Sequence, residues 1–324
     1  MFMPLAKYQL SAIELRLSAL QAGLRTSNWW LCLFAGLLVL LAIVTWLQRP
    51  QLALLWQEHN ADEGVRQVAL WLPDYRVDIE AKPLPGVDNL SGLTFDLVRG
   101  SLFAITNANP EILELSRDGN LLRRIPLDGL VDPEAIEYVG NGDFVLADER
   151  SQTLVAVHID DSTRRIDTAA GMQLSLGLGL NGNKGFEGLA WDATAKRLFV
   201  AKERDPQQIF EIQGFPFTDE SRLRINETPH RDAALPGTDL SSLVFEPRHG
   251  HLLVLSEESR LLVEFSDTGQ VLSRLSLTAG RGGLKRAIPQ AEGVALDDER
   301  NLYLVSEPNL FYRFTRTPAA SFPE

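Results

Sequence analysis

Apolar and polar residues alternate in short runs along most of the chain, and one paired pattern of such runs recurs five times. Its third copy reads Phe186 to Asp192, then a turn, then Leu198 to Glu203. Short alternating runs bounded by turn residues are typical of β-strands with one buried face. The repeat unit is therefore predicted to be a β-hairpin.

The five copies keep a similar spacing between their two runs. The first and fourth copies hold a constant offset of 150 from Ser91 and Ser241 through Leu127 and Leu277. The first runs are Leu90 to Asp96, Pro133 to Tyr138, Phe186 to Asp192, Leu240 to Glu246 and Ala291 to Asp297; the second are Leu102 to Asn107, Phe144 to Glu149, Leu198 to Glu203, Leu252 to Glu257 and Leu302 to Glu307. Periods of this length indicate an array of supersecondary units.

Outer strands around Asp118-Gly119 and Thr268-Gly269 extend the hairpins. A repeat of three or four strands cannot bury both of its faces, so neighbours must stack, and radial stacking gives a β-propeller. The last repeat, ending at Phe314, is one strand short, and the alternating run Tyr75 to Ala81 can complete it. We predict an all-β, five-bladed propeller over residues 74–316, closed by this N-terminal strand. Six blades, with one hidden near 169–183 or 214–236, is the alternative.

The N-terminal part differs from the repeats. Residues 30–47 form an uncharged apolar run of 18 residues flanked by tryptophans, which predicts a transmembrane anchor. A cleaved signal peptide fits less well, because no small-residue cleavage site follows Leu47. Basic residues precede the run, which puts segment 1–29 in the cytoplasm. Residues 48–73 are then a linker or stalk, and residues 317–324 a tail.

Composition narrows the chemistry. The chain has a single cysteine, Cys32, inside the apolar run, which excludes disulfides and thiol catalysis from the repeats. The net charge is −12, although residues 1–50 are basic. The repeat region is therefore more acidic than the chain as a whole. This acidity argues against nucleic acid as a partner and favours cations as ligands.

Carboxylates mark the same two positions of each copy. The residue that opens the first strand and the residue that closes the second lie 15 or 16 positions apart, and a hairpin brings them to the same end. The opening residues are Ser91, Glu134, Glu187, Ser241 and Glu292; the closing residues are Asn107, Glu149, Glu203, Glu257 and Glu307. Because the first strand of a blade lines the central channel, seven glutamates are predicted to converge at one mouth.

So many carboxylates need a counter-charge, because two like charges 4 Å apart repel by about 4 kcal/mol at an effective dielectric of 20. An all-oxygen set favours Ca²⁺ over zinc or copper. The candidate metal ligands are Glu134, Glu149, Glu187, Glu203, Glu257, Glu292 and Glu307, with Asp132, Asp148 and Asp239 as additions to the shell. The alternative is a wide solvated rim partly paired with Arg150, Lys184, Lys202 and Arg204.

These motifs resemble a known family. The runs Phe186 to Ala190 and Ala291 to Ala295, and the Asp-Glu or Ser-Glu endings of second strands, behind one N-terminal anchor, are similar to the SdiA-regulated, YjiK-like family. The resemblance covers residues 75–314 and implies a bacterial, membrane-anchored, five-bladed propeller with a calcium site, distantly similar to NHL-repeat propellers. The site would include Glu134, Glu187 and Glu292. The inner membrane and the periplasm are the expected locations.

Two classes of function agree with these features. In the first, which we favour, the propeller is a binding or scaffold protein of the cell envelope whose mouth meets a small anionic ligand or an envelope protein. In the second, it is a calcium-dependent hydrolase of a phosphoester or lactone. In the hydrolase, Glu149, Glu203 or another carboxylate would handle a proton while Ca²⁺ polarises the substrate oxygen, and propellers serve both classes.

Overall fold

The computed structural model describes residues 30–41, 63–177, 185–217 and 223–317. The chain separates into two compact units, Met1–Ala61 and Asp62–Glu324. In the first unit residues 30–41 are helical and their side chains are exposed; residues 42–47 of the predicted anchor lie outside the described residues. None of the helices in the four described ranges has both the length and the apolar character needed to cross a membrane.

The second unit is built almost entirely from antiparallel strands. In chain order they are β1 (Tyr75–Pro83), β2 (Leu90–Asp96), β3 (Ser101–Thr106), β4 (Glu111–Leu115), β5 (Leu121–Asp128), β6 (Pro133–Gly140), β7 (Asp143–Asp148), β8 (Thr153–His158), β9 (Ile166–Asp167), β10 (Met172–Ser175), β11 (Phe186–Asp192), β12 (Arg197–Lys202), β13 (Gln208–Gln213), β14 (Arg224–Glu227), β15 (Ser242–Glu246), β16 (His251–Ser256), β17 (Leu261–Phe265), β18 (Val271–Ser276), β19 (Ala291–Leu296), β20 (Leu302–Ser306) and β21 (Leu310–Arg316). Short α-helices span Glu63–Val68 and Pro229–Asp232, and 3-10 turns span Leu72–Asp74 and Thr168–Ala170.

These strands form five sheets arranged in a closed ring. The sheet orders are β2-β3-β4-β5-β9, β6-β7-β8-β10, β11-β12-β13-β14, β15-β16-β17-β18 and β19-β20-β21-β1, and we number them blades I to V. Each inner strand contacts the inner strands of both neighbours, from β2 through β6, β11, β15 and β19 back to β2. The five-bladed propeller is confirmed. The six-bladed alternative is wrong: the described parts of 169–183 and 214–236 form outer strands of blades II and III, part of a 3-10 turn and a short helix.

The ring closes as the alternating run Tyr75 to Ala81 predicted. Strand β1 pairs antiparallel with β21, from Tyr75 opposite Arg316 to Pro83 opposite Leu310. Blade V therefore combines the first strand of the propeller with its last three. Because the pair joins the two ends of the propeller, its backbone hydrogen bonds hold the ring shut.

The core lies between blades, and the second strand of a blade shows why. In β3, Leu102 and Ala104 pack toward blade V, while Phe103 and Ile105 pack toward blade II. Every residue of β3 is buried as a result. A strand covered on both faces reads as a near-continuous apolar run, so each blade depends on both neighbours for its burial.

The segment before β1 also packs on the propeller. Leu70 and Leu72 are fully buried against blades IV and V. The carboxylate of Glu264, itself fully buried in β17, accepts hydrogen bonds from the amides of Leu70 at 2.7 Å and Trp71 at 3.2 Å. His251 Nδ1 lies 2.9 Å from the same carboxylate. One buried side chain therefore attaches this segment to blade IV.

Three glycines permit the inner strands to approach one another. A Cβ on Gly92 would lie 3.0 Å from the backbone of Ala135 in the next inner strand, and one on Gly188 would lie 3.0 Å from the Leu243 amide. A Cβ on Gly293 would come within 2.8 Å of the Leu93 amide. Side chains at these positions would force the blades apart near the axis.

We therefore expect Gly293→Ala to destabilise the propeller by about 1–3 kcal/mol, the usual cost of inserting a methyl group into a packed interior. Urea denaturation followed by tryptophan fluorescence measures this loss. Gly177→Ala is the matched control, because a Cβ there meets nothing within 4 Å. Equal stability of the two variants would contradict the close-approach account.

Candidate metal centre

A β-bulge places the opening residue of the inner strand in four blades. In blade III, Phe186 stands opposite Lys202 and Gly188 opposite Ala201, so Glu187 is the extra residue. The registers of blades I, II and V shift in the same way at Ser91, Glu134 and Glu292. Bulges leave one residue outside the regular ladder and change the direction of its side chain. The same bulge therefore sets the direction of the opening side chain in each of these four blades.

A repeated hydrogen bond then joins the closing residue to the same end of the hairpin. The amide of Glu149 donates to the Asp132 carbonyl at 2.9 Å, and that of Glu203 to the Gly185 carbonyl at 3.0 Å. Each acceptor lies two positions before the opening residue, and the closing residues of blades I and V bond in the same way. In blade IV the Asp239 carboxylate takes the carbonyl's place, accepting from the Glu257 amide at 2.8 Å.

The hairpins bring carboxylates of blades II and III into two overlapping groups. Asp132, Glu134 and Glu149 form the first triad, and Glu149, Glu187 and Glu203 form the second; within each, one ligand oxygen per residue lies within 4.8 Å of the others. Glu149 belongs to both triads and is 1% exposed. Carboxylate oxygens at this separation can surround a single hard cation.

The other predicted ligands are adjacent to these triads but outside both of them. The carboxylates of Glu307, Glu134 and Glu257 repel that of Glu292, and the repulsion from Glu307 is the strongest of the three. Glu187 in turn feels Glu134, Glu149 and Glu292. All seven glutamates therefore lie around one mouth, with Glu257, Glu292 and Glu307 on the side of blades IV and V.

Burial raises the pKa of most of these carboxyls. Removal from water raises the pKa of Glu134 to about 8, against the lowering effect of hydrogen bonds from Asn107 and Ser91. Burial, with repulsion from Glu307, raises the pKa of Glu292 to about 8. Burial and the neighbouring carboxylates hold the pKa of Glu187 well above its ordinary value. The metal-free mouth therefore favours protons on these side chains.

Two of the three aspartates predicted to extend the shell hold loops instead. The Asp148 carboxylate accepts from the amides of Val131 at 2.7 Å, Ser151 at 2.8 Å and Asp132 at 3.0 Å. Asp239 accepts from the hydroxyl of Ser256 at 2.5 Å and from the Glu257 amide. The carboxylate oxygens of Asp148 and Asp239 are therefore already engaged by nearby amide and hydroxyl donors. Of the three aspartates, only Asp132 joins a triad.

The basic side chains proposed to neutralise the rim take different positions. Arg204 pairs with Glu203 and Glu258, and Arg150 lies 3.2 Å from Asp132. Lys202 is buried and donates to the backbone carbonyls of Arg204 and Pro206. Lys184 lies outside the described residues. The arginines thus balance part of the acidic charge.

Three hydrogen bonds near the axis were not predicted from the sequence. The Gly185 amide donates to Glu149 Oε1 at 3.0 Å and orients the carboxylate shared by the triads. Glu137 accepts from Thr94 Oγ1 at 2.8 Å and from the Trp191 amide at 3.0 Å, which links the inner strands of blades I, II and III. A second acidic residue within the inner-strand run Pro133 to Tyr138, three positions after Glu134, was the available signal for Glu137.

Comparison with known families identifies the repeat. A family model described as SdiA-regulated matches residues 67–315, from the segment bound by Glu264 to the last strand. The chain belongs to the SdiA-regulated family. The resemblance inferred from the glutamate motifs is thereby confirmed, and the bulges and triads described above belong to a member of this family.

Several solved structures are similar to the chain at low sequence identity. A glutaminyl cyclase from Myxococcus xanthus is 13% identical, with a TM-score of 0.50 over 74% of this chain and 95% of that chain. A luciferin-regenerating enzyme is 14% identical, with a TM-score of 0.48 over 75% of this chain and 97% of that chain. A gluconolactonase from Xanthomonas campestris is 14% identical, with a TM-score of 0.43 over 69% and 71%. The cyclase comparison concerns the fold alone.

The raised pKa of Glu134 predicts how the stability of the metal-free protein changes with pH. Because the folded-state value of about 8 exceeds the ordinary 4.5, the folded state binds more protons, and the free energy of unfolding falls as the pH rises from about 4.5 through about 8. Thermal melts in chelator at several pH values measure this decline. Glu134→Gln is expected to make it shallower.

The matched control is Glu227→Gln, which alters an exposed carboxylate of β14 and is expected to leave the decline as it is in the unsubstituted protein. A Glu134→Gln variant whose midpoint falls as steeply as that of the control would show that burial does not hold protons at the mouth.

Proposed function

We propose that the chain is a calcium-binding β-propeller that acts as a binding or scaffold protein in the cell envelope. One observation carries the proposal: carboxylates from blades II and III form two triads whose ligand oxygens lie within 4.8 Å, with Glu149 common to both. Such a group is costly to deprotonate unless a cation is present. A bound ion would therefore hold neighbouring carboxylates of the mouth together.

The donor chemistry fits Ca²⁺. All members of the two triads are carboxylates, with neither histidine nor cysteine among them. Hard oxygen donors suit calcium and magnesium, and calcium accepts the larger and less regular ligand set. Asp132, Glu134 and Glu149, or Glu149, Glu187 and Glu203, would hold it. An ion there would fix the mouth and leave its rim to meet a small anionic ligand or an envelope protein.

The location is part of the same proposal. The apolar run 30–47, of which residues 30–41 are helical with exposed side chains, would anchor the chain in the inner membrane with residues 1–29 in the cytoplasm and the propeller in the periplasm. The excess of basic residues before the run supports this orientation. Alkaline phosphatase fused after residue 317 should be active and β-galactosidase fused there inactive; the reverse pair of results would refute the topology.

Calcium is expected to stabilise the folded propeller. A ligand that binds only the folded state adds about 2.7 kcal/mol at 100 times its dissociation constant, which corresponds to a rise in melting midpoint of roughly 5–10 °C for a protein of this size. Melts of the full-length protein in chelator and then in excess Ca²⁺ or Mg²⁺ measure the rise, which should be larger for Ca²⁺.

Glu134→Gln and Glu187→Gln, one from each triad, identify the ligands, since substitution in the occupied triad should abolish the rise. Glu227→Gln is the control, because its carboxylate lies on an outer strand. If neither cation moves the midpoint of the unsubstituted protein, the glutamates are a solvated rim and the metal proposal fails.

A second candidate function rests on Glu292. Its carboxyl lies near the triads without joining either, and burial raises its pKa to about 8. A pKa close to neutral pH is the property of an efficient general acid or base. Bound Ca²⁺ would supply electrophilic activation of a substrate oxygen, while Glu292 would move a proton at the adjacent atom. This arrangement suits hydrolysis of a phosphoester or lactone.

A hydrolase makes a distinct prediction for Glu292→Gln. The variant should lose about 10²–10⁴-fold in turnover, the usual contribution of a general acid or base, while keeping the Ca²⁺-dependent rise in melting midpoint. A panel of generic phosphoesters and lactones, assayed with and without Ca²⁺, provides the measurement. Absence of calcium-dependent turnover across the panel would favour the binding function.

A further inference from the structure

Two arginines occupy equivalent positions beside the two triads. Arg150 directly follows Glu149 at the end of the blade II hairpin, and Arg204 directly follows Glu203 at the end of the blade III hairpin. The other three blades have Ala108, Glu258 and Pro308 at this position. Arg150 and Arg204 can therefore be compared directly, because they hold the same position in two blades and differ in the charges around them.

Arg204 is the more enclosed of the two. It contacts Glu203 Oε1 through Nη2, and its Nη1 lies 3.1 Å from Glu258 Oε1. Its side chain is 34% exposed, and its Nε is buried with no hydrogen-bond partner among the described residues. Glu258 is held in turn by the Thr238 hydroxyl. Arg204 is thus fixed between two carboxylates, one of which belongs to the second triad.

Arg150 is bound much more loosely. Its side chain is 63% exposed, and its one ion pair within the described residues is with Asp132 at 3.2 Å. Solvent screens such a pair, so it contributes little to stability. The charge of Arg150 also acts on Glu149, and the charge of Arg204 also acts on Glu187 and Glu257. The second triad therefore has an enclosed positive partner, whereas the positive partner of the first triad, Arg150, is mostly exposed to solvent.

We propose that Arg204 serves as the built-in counter-cation of the triad Glu149, Glu187 and Glu203, and thereby directs an incoming Ca²⁺ to the triad Asp132, Glu134 and Glu149. Its guanidinium contacts one of the two carboxylate oxygens of Glu203, and its charge opposes a second cation nearby. The choice of triad rests on the calcium-binding function proposed above; the counter-cation role does not.

The counter-cation role is tested without metal, by a double-mutant cycle in chelator. Arg204→Met keeps much of the apolar stem and removes the charge, which leaves the buried Glu203 carboxylate unpaired. We expect the melting midpoint of the full-length protein to fall by roughly 5 °C or more. Adding Glu203→Gln to this variant should recover most of the loss, because the unpaired charge is then absent.

Arg150→Met is the matched control and should lower the midpoint by less than about 2 °C. Arg204→Lys, which keeps the charge, should retain more stability than Arg204→Met. If Arg204→Met falls no further than Arg150→Met, or if Glu203→Gln does not rescue it, Arg204 is not a counter-cation and the proposal is overturned.

The choice of triad is tested by calcium titration calorimetry on the same proteins. The unsubstituted protein and Arg150→Met should bind one Ca²⁺, and Arg204→Met should bind a second. A single ion in Arg204→Met, despite a successful cycle, would overturn the exclusion of calcium from the second triad. If the cycle succeeds and no protein binds Ca²⁺, the counter-cation role stands and the proposed calcium function is overturned.

Discussion

The close approach of five inner strands around one axis is the constraint on which the rest of the structure depends. Gly92, Gly188 and Gly293 leave so little space that a Cβ would press on a neighbouring strand. Strands this close necessarily bring their opening residues to one small mouth. When those residues are glutamates, packing that stabilises the blades also concentrates negative charge. Raised pKa values, paired arginines and a proposed cation are three responses to the same geometry.

Much of the propeller could be predicted from the sequence, because the pattern of strands is repeated five times. The constant offset between the first and fourth copies, and the alternating run Tyr75 to Ala81, were sufficient to predict five blades and their closure. The opening and closing positions of each hairpin followed from strand length. A period is a statistical signal that survives substitutions at single positions, so a fold built from repeats is unusually predictable.

The finer arrangement of the mouth was not predictable from one sequence. Asp132 and Asp239 occupy equivalent positions, yet Asp132 joins a triad while Asp239 binds a hydroxyl and an amide. Likewise, Arg150 and Arg204 follow equivalent glutamates and differ in burial. These differences arise from loops and from contacts between blades, which the repeat pattern does not encode. The bulges were hidden because each follows the first residue of its strand, where too few residues precede it to show a break in the alternation.

The pairing of β1 with β21 also bears on how the chain folds. Tyr75 and Arg316 belong to opposite ends of the propeller, so blade V stays incomplete until the ribosome has released the last strand. Contacts between residues so distant in sequence form slowly. In the meantime the apolar side of blade I that packs on blade V has no cover, and such surfaces make folding intermediates prone to aggregate. The fold that shields its core between blades therefore leaves part of that core exposed until the two ends of the propeller meet.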